Sequence, residues 1–449
     1  MVLKTWPHPK SRSIGLFTDL RLFSEALELA YEQGVITKQE LVEDIPQRVK
    51  GLLFIESQSA RGVEHLLREL RSFKWIRFVH PSPKSMDNAK YCVTDEGKKA
   101  FELFRYSKRD FLRLLTAKMH DLYTIPGWFI HRLWAINPKG QGEVIIPVPP
   151  RDWRPESREW EDKDWTDELA TQTKKSLQII KNVTTGAFPI EKDVWIGKVK
   201  EAWNRLSNLK RRKVAKSTNA PQSEKKEKIK TYTPRRRLAM AMQETAVKHL
   251  FSNEPPNSNA RDFSKSREPL YPRTYMAWCP RLESLELIFY TDVHPLAPGR
   301  LIFPTSVFRT SAPKNKFEEL NSIKNPHEKT LWLHRPGWES MKELFFKALT
   351  QEHQRAYTRL GSLYVPLLDV RDEVCRQLRL SAARFDNFME KALRESLRPE
   401  SKLSISVETD IREDQRSAHR LIRRPVLIGL VPHFLIAITE VRDVERIAR

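Results

Sequence analysis

The sequence predicts a multidomain α+β protein that is mainly helical and has a basic, flexible centre. Its 449 residues exceed what one compact core usually holds, at about 100–200 residues per domain. Many apolar residues recur at three- and four-residue steps, which is helical spacing, and the short alternating segments between them are typical of strands. Only 14 residues are glycine, and this shortage disfavours folds that need several glycine-rich phosphate-binding turns.

The charge balance indicates an anionic partner. Lys and Arg number 79 against 57 Asp and Glu, a formal net charge of +22, and the sequence pI is about 9.8. Such an excess attracts polyanions and speeds encounters with them. We therefore expect nucleic acid as the partner, with other protein subunits as further candidates.

Membrane insertion and a disulfide framework are not expected. The longest apolar run, Val426 to Thr439, is interrupted by a proline and is too short to span a bilayer. Cys92, Cys279 and Cys375 lie far apart, whereas a cysteine-based zinc site needs closely spaced pairs. We expect no membrane partner, no cofactor, and a cytoplasmic or nucleoid-associated location, or a nuclear one in a eukaryote.

Residues 14–106 are predicted to form the first domain, which begins with three helices. Apolar residues at helical spacing from Leu16 predict a helix that ends at Gly34. Thr37 can cap the second helix, with Glu40 three residues later completing a capping box. The third helix, about Ser59 to Phe73, has an apolar face that consists of Val63, Leu66, Leu67 and Leu70.

A strand pair and a last helix complete this domain. Trp75 to Val79 alternates as a strand does, Lys90 to Val93 can pair back after a turn, and Thr94 can cap the helix. The phrase KYCVTDEGKKAFEL, Lys90 to Leu103, resembles the stretch that closes the wing in winged helix-turn-helix DNA-binding domains. The resemblance implies a winged-helix fold whose third helix contacts DNA. Many winged helices contact proteins instead, so it indicates the fold more strongly than the function.

The middle of the chain is predicted to contain a helical domain, a linker and a mixed α/β domain. Their limits are 107–212, 213–234 and 235–360. Between Lys198 and Arg237 there are 15 Lys and Arg residues and three Glu residues, which gives this stretch a net charge of +12. The linker is basic, lacks apolar periodicity and is predicted to be disordered. In the domain that follows it, Tyr275 to Thr291 and Leu301 to Phe308 are predicted strands.

Residues 361–449 are predicted to form a second, winged-helix-like domain. After a short strand, Asp369 can cap one helix and Ser381 begins another. The predicted wing strands are Leu403 to Val407 and Val426 to Leu430, separated by a charged connection. Two short helices followed by a wide hairpin resemble a winged helix-turn-helix.

The candidate nucleic-acid-binding residues are lysines, arginines and one histidine placed by these patterns. The third helix and the wing of the first domain contribute Arg61, His65, Arg68, Arg71, Lys84 and Lys90, and the centre contributes Lys210, Arg211, Arg212, Lys213, Arg235, Arg236 and Arg237. The C-terminal domain contributes Arg384, Lys391, Arg412, Arg416 and Arg420. Arginine on a helix in the major groove can read guanine, while lysine or arginine near phosphates releases counterions. The competing interpretation is a solvated face or linker, with acids such as Glu64 and Glu69 pairing the helix arginines.

No catalytic signature is present, and no catalytic or metal-ligating residue is predicted. The sequence contains no GxxxxGK[ST] phosphate loop, no HExxH zinc motif and no GxSxG nucleophile elbow. The sequence therefore predicts non-catalytic binding of nucleic acid, in particular duplex DNA. Two alternatives stay open. One is a scaffold subunit of a multi-protein complex that processes nucleic acid, such as a mobile-element or anti-phage complex, and the other is a metal-dependent nuclease or recombinase.

Overall fold

The computed structural model describes most of the chain as helices and short strands. The described residues are 21–48, 60–80, 89–122, 125–150, 153, 165–183, 190–218, 233–250, 278–279, 281–291, 299–305, 308–309, 321–323, 331–333, 337–409, 425–429 and 431–440. No helix in this part of the chain is long and apolar enough to cross a membrane.

The chain divides into two compact units, each built from several stretches. The first unit contains residues 1–131, 253–288 and 306–335, and the second contains 132–252, 289–305 and 336–449. Both combine helices with small antiparallel sheets, as expected of an α+β protein. The predicted domain limits stay a prediction, because a division into two spatial units does not say which segments fold alone.

The first unit begins with seven elements, which we call the N-terminal module. They are α1 (Arg21–Gln33), β1 (Ile36–Thr37), α2 (Lys38–Arg48), α3 (Ala60–Ser72), β2 (Ile76–Phe78), β3 (Lys90–Val93) and α4 (Asp95–Tyr106). The three strands form an antiparallel sheet in the order β1-β3-β2. Ile36 pairs with Tyr91 on one side of β3, and Ile76 pairs with Val93 on the other.

Local sequence signals set the limits of these helices. Gly34 follows α1 with a φ of 74°, the left-handed conformation that glycine tolerates best. The predicted capping box of α2 is confirmed, since the Thr37 amide donates to Glu40 Oε2 at 2.6 Å and the Glu40 amide donates to Thr37 Oγ1 at 3.3 Å. The predicted apolar face of α3 is buried, with Val63, Leu66, Leu67 and Leu70 in the core.

The start of α4 lies directly against the turn that follows α3. Thr94 is the N-cap of α4, and its hydroxyl accepts from the Gly97 amide at 3.1 Å. The same hydroxyl donates to the Lys74 carbonyl at 2.5 Å, and the Thr94 amide donates to the Trp75 carbonyl at 3.0 Å. A β-carbon added at Gly97 would lie 2.0 Å from the Trp75 carbonyl oxygen. Glycine is therefore required at residue 97 because the two backbones approach so closely.

Gly97→Ala should lower the free energy of unfolding by about 1–3 kcal/mol, because the new methyl group overpacks a site that is filled by backbone. Gly197 provides the control, since it is an exposed helical glycine with no atom within 4 Å of an added β-carbon. Gly197→Ala should stabilise the chain by about 0.5–1 kcal/mol. Urea unfolding of the two variants measures both effects. Equal free energies of unfolding for Gly97→Ala and Gly197→Ala would contradict the close backbone contact at residue 97.

The rest of the first unit contains further helices and a small sheet. The helix α5 (Lys108–Leu122) follows α4, and α6 (Ile125–Ile136) continues into the second unit. A sheet in the order β7-β9-β8 is formed by β7 (Phe308–Arg309), β8 (Asn321–Ile323) and β9 (Leu331–Leu333). The prediction of a strand from Tyr275 to Thr291 is wrong over most of its length. Residues 278–279 and 281–284 are helical, and the strand begins only at Ile288.

A buried ion pair joins α3 to this distant helical segment. Both guanidinium nitrogens of Arg281 donate to the Glu69 carboxylate, at 2.8 and 2.7 Å, and Arg281 also lies 5.0 Å from the Trp278 ring centroid. Glu69 and Arg281 are 6% and 2% exposed, so neither charge is compensated by bulk water. The bidentate geometry satisfies both groups and fixes one flank of α3.

Arg281→Met should destabilise the chain by about 3–5 kcal/mol, because it leaves the Glu69 carboxylate buried without its partner. The double variant Glu69→Met/Arg281→Met removes both charges and should recover most of that loss. The free energy of unfolding of the two single variants and the double variant measures the coupling. Additive losses would mean that the two side chains do not act as a pair.

The second unit begins with helices that pack beside a three-stranded sheet. The helices are α7 (Asp167–Val183), α8 (Lys192–Thr218) and α9 (Pro234–Leu250). The sheet has the order β4-β6-β5 and contains β4 (Val144–Pro147), β5 (Ile288–Thr291) and β6 (Gly299–Pro304). An ion pair between Arg205 of α8 and Glu244 of α9 connects the two helices, which pack along their lengths.

The last elements, which we call the C-terminal module, follow in the same unit. They are α10 (Trp338–Leu360), β10 (Val365–Pro366), α11 (Leu367–Leu378), α12 (Ala382–Ser396), β11 (Leu403–Glu408), β12 (Val426–Ile428), β13 (Val431–His433) and β14 (Leu435–Glu440). Ser381 caps α12 as predicted, since its side chain accepts from the Arg384 amide. Asp369 does not cap α11, because the helix begins at Leu367 and places Asp369 in its first turn.

The wing prediction for the C-terminal module is wrong in its second strand. The strand that pairs with β11 is β14, with Ser404 opposite Thr439 and Ser406 opposite Ala437. The predicted strand around Val426 instead forms a separate short hairpin with β13. The sheet order is β10-β14-β11, in which the last strand lies in the middle. The N-terminal module also has its last strand in the middle, and both modules begin with helix, strand, helix, helix and strand. They differ afterwards, because the C-terminal module has the β12-β13 hairpin before β14, whereas the N-terminal module ends with the helix α4.

The C-terminal module shares its core with the sheet of the second unit. Ile145, Phe289 and Phe303 belong to the same buried cluster as Phe345 and Phe385 of the module. At the edge of this core, Arg379 donates to the Gly140 carbonyl at 2.9 Å and pairs with Glu143 at 3.1 Å; it also lies over the Phe303 ring. The module is therefore built into the second unit.

Burial raises the pKa of Glu352, a carboxyl on α10 that accepts from Gln377 and pairs with Arg355 at 2.6 Å. The Glu352 carboxyl therefore stays protonated to a higher pH in the folded chain than in the unfolded chain, where its pKa is near the ordinary 4.5. Ionisation costs stability as the pH rises through the raised pKa, and the cost is absent below the ordinary value. Glu352→Gln should therefore gain stability over the parent at pH 7 and little at pH 4. Urea unfolding at both pH values tests this, and a pH-independent difference would contradict it.

Candidate nucleic-acid interface

The end of α3 and the adjoining strand β2 enclose a groove on the N-terminal module. Its volume is about 440 Å³, and it is lined by Arg68, Arg71, Ser72, Lys74, Ile76, Arg77, Phe78 and Thr94. Four of these described lining residues carry a positive charge and none is acidic. We call this surface the cationic groove. An anion inside it would meet cations from the helix, the turn and the strand.

Arg68 contributes from the exposed face of α3. Its Nη2 lies 3.0 Å from Glu64 Oε1, and more than half of its side chain is exposed. Glu64 is also 3.9 Å from the Lys38 ammonium, so two cations share one carboxylate. Exposed pairs of this kind contribute little in water. Arg68 can therefore exchange this partner for a phosphate or a base edge at small cost.

Arg71 is more firmly placed than Arg68. Its guanidinium carbon lies 3.8 Å from the centroid of the Phe78 ring, which is cation–π geometry. Phe78 in turn packs against Tyr91, with ring centroids 5.2 Å apart. Burial raises the pKa of the Tyr91 hydroxyl, and the nearby Arg71 charge opposes this only in part. Tyr91 therefore stays neutral at physiological pH and adds no negative charge beneath Arg71.

Lys74 and Arg77 complete the groove, and neither is among the residues predicted from the sequence. Lys74 occupies the turn directly after α3, and Arg77 is the outward residue of β2, exposed beside the buried Ile76. Lys74 also lowers the pKa of Glu96 slightly, but the main cause is a hydrogen bond from Lys118 at 2.9 Å. The alternation of buried and outward positions along a strand predicts that Arg77 points outward. The alternation does not show that Arg77 lies beside Arg71, because that depends on the tertiary structure.

The other predicted residues of the N-terminal module do not line the groove or are not among the described residues. Lys90 is exposed at the start of β3. Arg61 and His65 lie in the first half of α3, but their side chains are outside the described residues, and Lys84 lies in the undescribed stretch 81–88. Of the predicted set, the structure thus brings Arg68 and Arg71 together.

The central basic run is helical where it is described. Lys210, Arg211, Arg212 and Lys213 belong to α8, which continues to Thr218, so the first residues of the predicted linker are part of a helix. Their side chains, and residues 219–232, are outside the described part.

The predicted cluster at the start of α9 needs correction. Arg237 is only 6% exposed, and its guanidinium lies 4.9 Å from the Trp203 ring, so it is a packing residue and does not reach a phosphate. Arg235 is half-buried and donates to the Trp153 carbonyl at 2.7 Å. Arg236 is exposed. The helix begins at Pro234, so the three arginines point in three directions. Arg235 and Arg237 make contacts within the fold.

The C-terminal module presents a more balanced charge than the N-terminal one. Lys391 is exposed on α12, while Arg384 is half-buried in its first turn. The α12 sequence contains three basic and three acidic residues, and Arg394 pairs with Glu390 at 2.5 Å. A hydrogen bond from Lys342 lowers the pKa of Glu395, the last of these acids. Arg412, Arg416 and Arg420 lie outside the described residues.

Comparison with known proteins does not assign the chain to a family: no protein-family model, curated protein or solved structure matches it. Within the described residues, no group of three or more His, Cys, Asp or Glu side chains is placed to hold a metal ion. The candidate interface therefore depends on the geometry of the cationic groove.

Proposed function

We propose that this protein binds nucleic acid without catalysis, in particular duplex DNA, and that the N-terminal module binds it as a winged helix. The order of helices and strands and the sheet order β1-β3-β2 support this proposal. So does the phrase Lys90 to Leu103, whose threonine caps α4 and whose glycine permits the close backbone contact. In a winged helix the third helix enters the major groove, and here that helix is α3.

The cationic groove is the observation that carries the proposal. Four positive side chains from three neighbouring elements converge, with no acid among the described lining residues. Lysine and arginine at such a surface release counterions from a phosphodiester backbone, which gives affinity for any sequence. The exposed face of α3 lies beside the groove. It carries Arg68, which is long enough to reach a base edge.

The other predicted cations extend this proposal. The α8 segment Lys210 to Lys213, the exposed Arg236, and the C-terminal residues Lys391, Arg384, Arg412, Arg416 and Arg420 would add phosphate contacts along a longer duplex. Such contacts position a protein without specifying sequence. We give them a smaller role than the cationic groove, because the described part of α12 balances its own charges.

A second candidate function is a scaffold within a larger complex that processes nucleic acid. It is favoured by the neutral α12 together with Leu397 at its end, which is 83% exposed. Large exposed apolar side chains next to a charge-balanced helix are more typical of protein contacts than of contacts with a polyanion. In this alternative the C-terminal module binds another subunit.

The test measures DNA affinity of Arg71→Ala/Arg77→Ala against salt concentration. If both side chains contact phosphates, the slope of log affinity on log salt should fall by about 1.8 relative to the parent. Arg77→Ala alone should lower it by about 0.9, and this exposed residue can be removed without disturbing the core. Lys347→Ala, an exposed helical change in the C-terminal module, removes the same charge elsewhere as a control.

Two results would contradict the proposal. Absence of binding by the parent at low salt would leave the scaffold function, and an unchanged slope in both variants would remove the cationic groove from the interface. Incubation of plasmid with the protein and Mg²⁺ or Mn²⁺ tests the nuclease alternative. Cleavage that is lost on chelation would overturn the non-catalytic assignment.

A further inference from the structure

We propose that the cationic groove binds one backbone phosphate between Arg71 and Lys74, and that Lys74 occupies its turn position for this purpose. This inference rests on the proposed function and assigns the type of contact that this part of the interface makes. It makes Lys74 a binding residue of the interface.

Lys74 has a backbone conformation that normally belongs to glycine. Its φ is 61°, in the left-handed region, which a β-carbon disfavours. The turn is a Schellman motif, because the Trp75 amide donates to the Leu70 carbonyl and the Lys74 amide donates to the Arg71 carbonyl, both at 2.9 Å. Glycine is the usual residue at this position of the motif. Lysine here therefore costs stability.

The surrounding structure keeps Lys74 in this conformation. The Thr94 hydroxyl binds its carbonyl at 2.5 Å, and Gly97 lets α4 approach the next carbonyl. Elsewhere in the described residues the left-handed position after a helix is occupied by glycine at Gly34 and Gly361, and by a charged residue at Glu286 and Arg379. A lysine in a position that is fixed and that favours glycine indicates that its side chain is used.

Arg379 is a second basic residue in the left-handed conformation, and its side chain has a structural role. Arg379 follows α11 with a φ of 55°, and its side chain donates to the Gly140 carbonyl and pairs with Glu143. Burial lowers the pKa of Arg379, so its charge belongs to the interior of the second unit. Lys74 differs, because it is exposed and lines the cationic groove. Contacts within the fold account for a basic residue at position 379, whereas a bound phosphate accounts for the lysine at position 74.

Arg71 and Lys74 have complementary properties as phosphate donors. Arg71 is held over Phe78 at 3.8 Å, so its planar guanidinium loses little freedom when it binds an anion. Lys74 supplies a mobile point charge from the opposite end of the turn. The C-terminal end of α3 carries partial negative charge and repels an anion, so these side chains must provide the attraction. Because Arg71 is packed against β2, we assign it to the phosphate and leave base contact to Arg68.

Lys74→Gly tests the inference because it should change stability and affinity in opposite directions. Removing the β-carbon relieves the left-handed conformation and should raise the melting temperature by about 2–4 °C. Losing one phosphate contact should weaken DNA binding by about fivefold to tenfold at 0.1 M salt and lower the salt slope by about 0.9. The loss should be the same on specific and random duplexes.

Two further variants separate the contributions. Lys74→Ala keeps the β-carbon, so it should weaken binding as Lys74→Gly does without the gain in melting temperature. Lys139→Ala removes an exposed lysine of the second unit and should leave the salt slope unchanged. If the parent binds DNA and Lys74→Gly binds with the parent's slope, the phosphate assignment is overturned while the proposed function stands. If the parent does not bind, the proposed function fails first.

Discussion

The N-terminal module depends on the close approach of two backbone segments, the turn after α3 and the first turn of α4. Thr94 binds the turn through its hydroxyl and its amide, and the missing side chain of Gly97 leaves room for the Trp75 carbonyl. This contact sets where α3 ends relative to the sheet. It also fixes the turn that carries Lys74. Thr94, one of the residues that make the phrase resemble a wing, also lines the cationic groove.

The orientation of α3 is determined on both of its flanks. On one side, the buried pair between Glu69 and Arg281 connects the helix to a segment more than 200 residues away in sequence. On the other side, Arg71 lies on Phe78 of β2. Arg68 lies between these flanks and is exposed. Because Glu69 is occupied by Arg281, it does not cancel the charge of the helix arginines, which removes one of the two acids in the solvated-face interpretation.

The two modules begin with the same order of helices and strands but expose different charges. In the N-terminal module the last turn of α3 and β2 leave positive charge at a concave surface. In the C-terminal module α12 pairs its charges, and the core merges with the sheet that contains Phe289 and Phe303. The order of elements decides where helices and strands lie. The surface charges and the neighbouring segments decide what each module exposes and what it buries.

The sequence alone determined the features that depend on residues within about four positions of one another. The capping box of Thr37 and Glu40, the caps Thr94 and Ser381, and the apolar face of α3 are of this kind, because a helix brings i and i+3 or i+4 together. Only the tertiary structure decided that β11 pairs with β14, that Arg237 packs on Trp203, and that Lys74 and Arg77 join Arg71 in one groove. These outcomes depend on which surfaces meet across long stretches of chain. Local spacing carries no information about that, since a charged residue looks the same in sequence whether it faces solvent, a ring or a carboxylate.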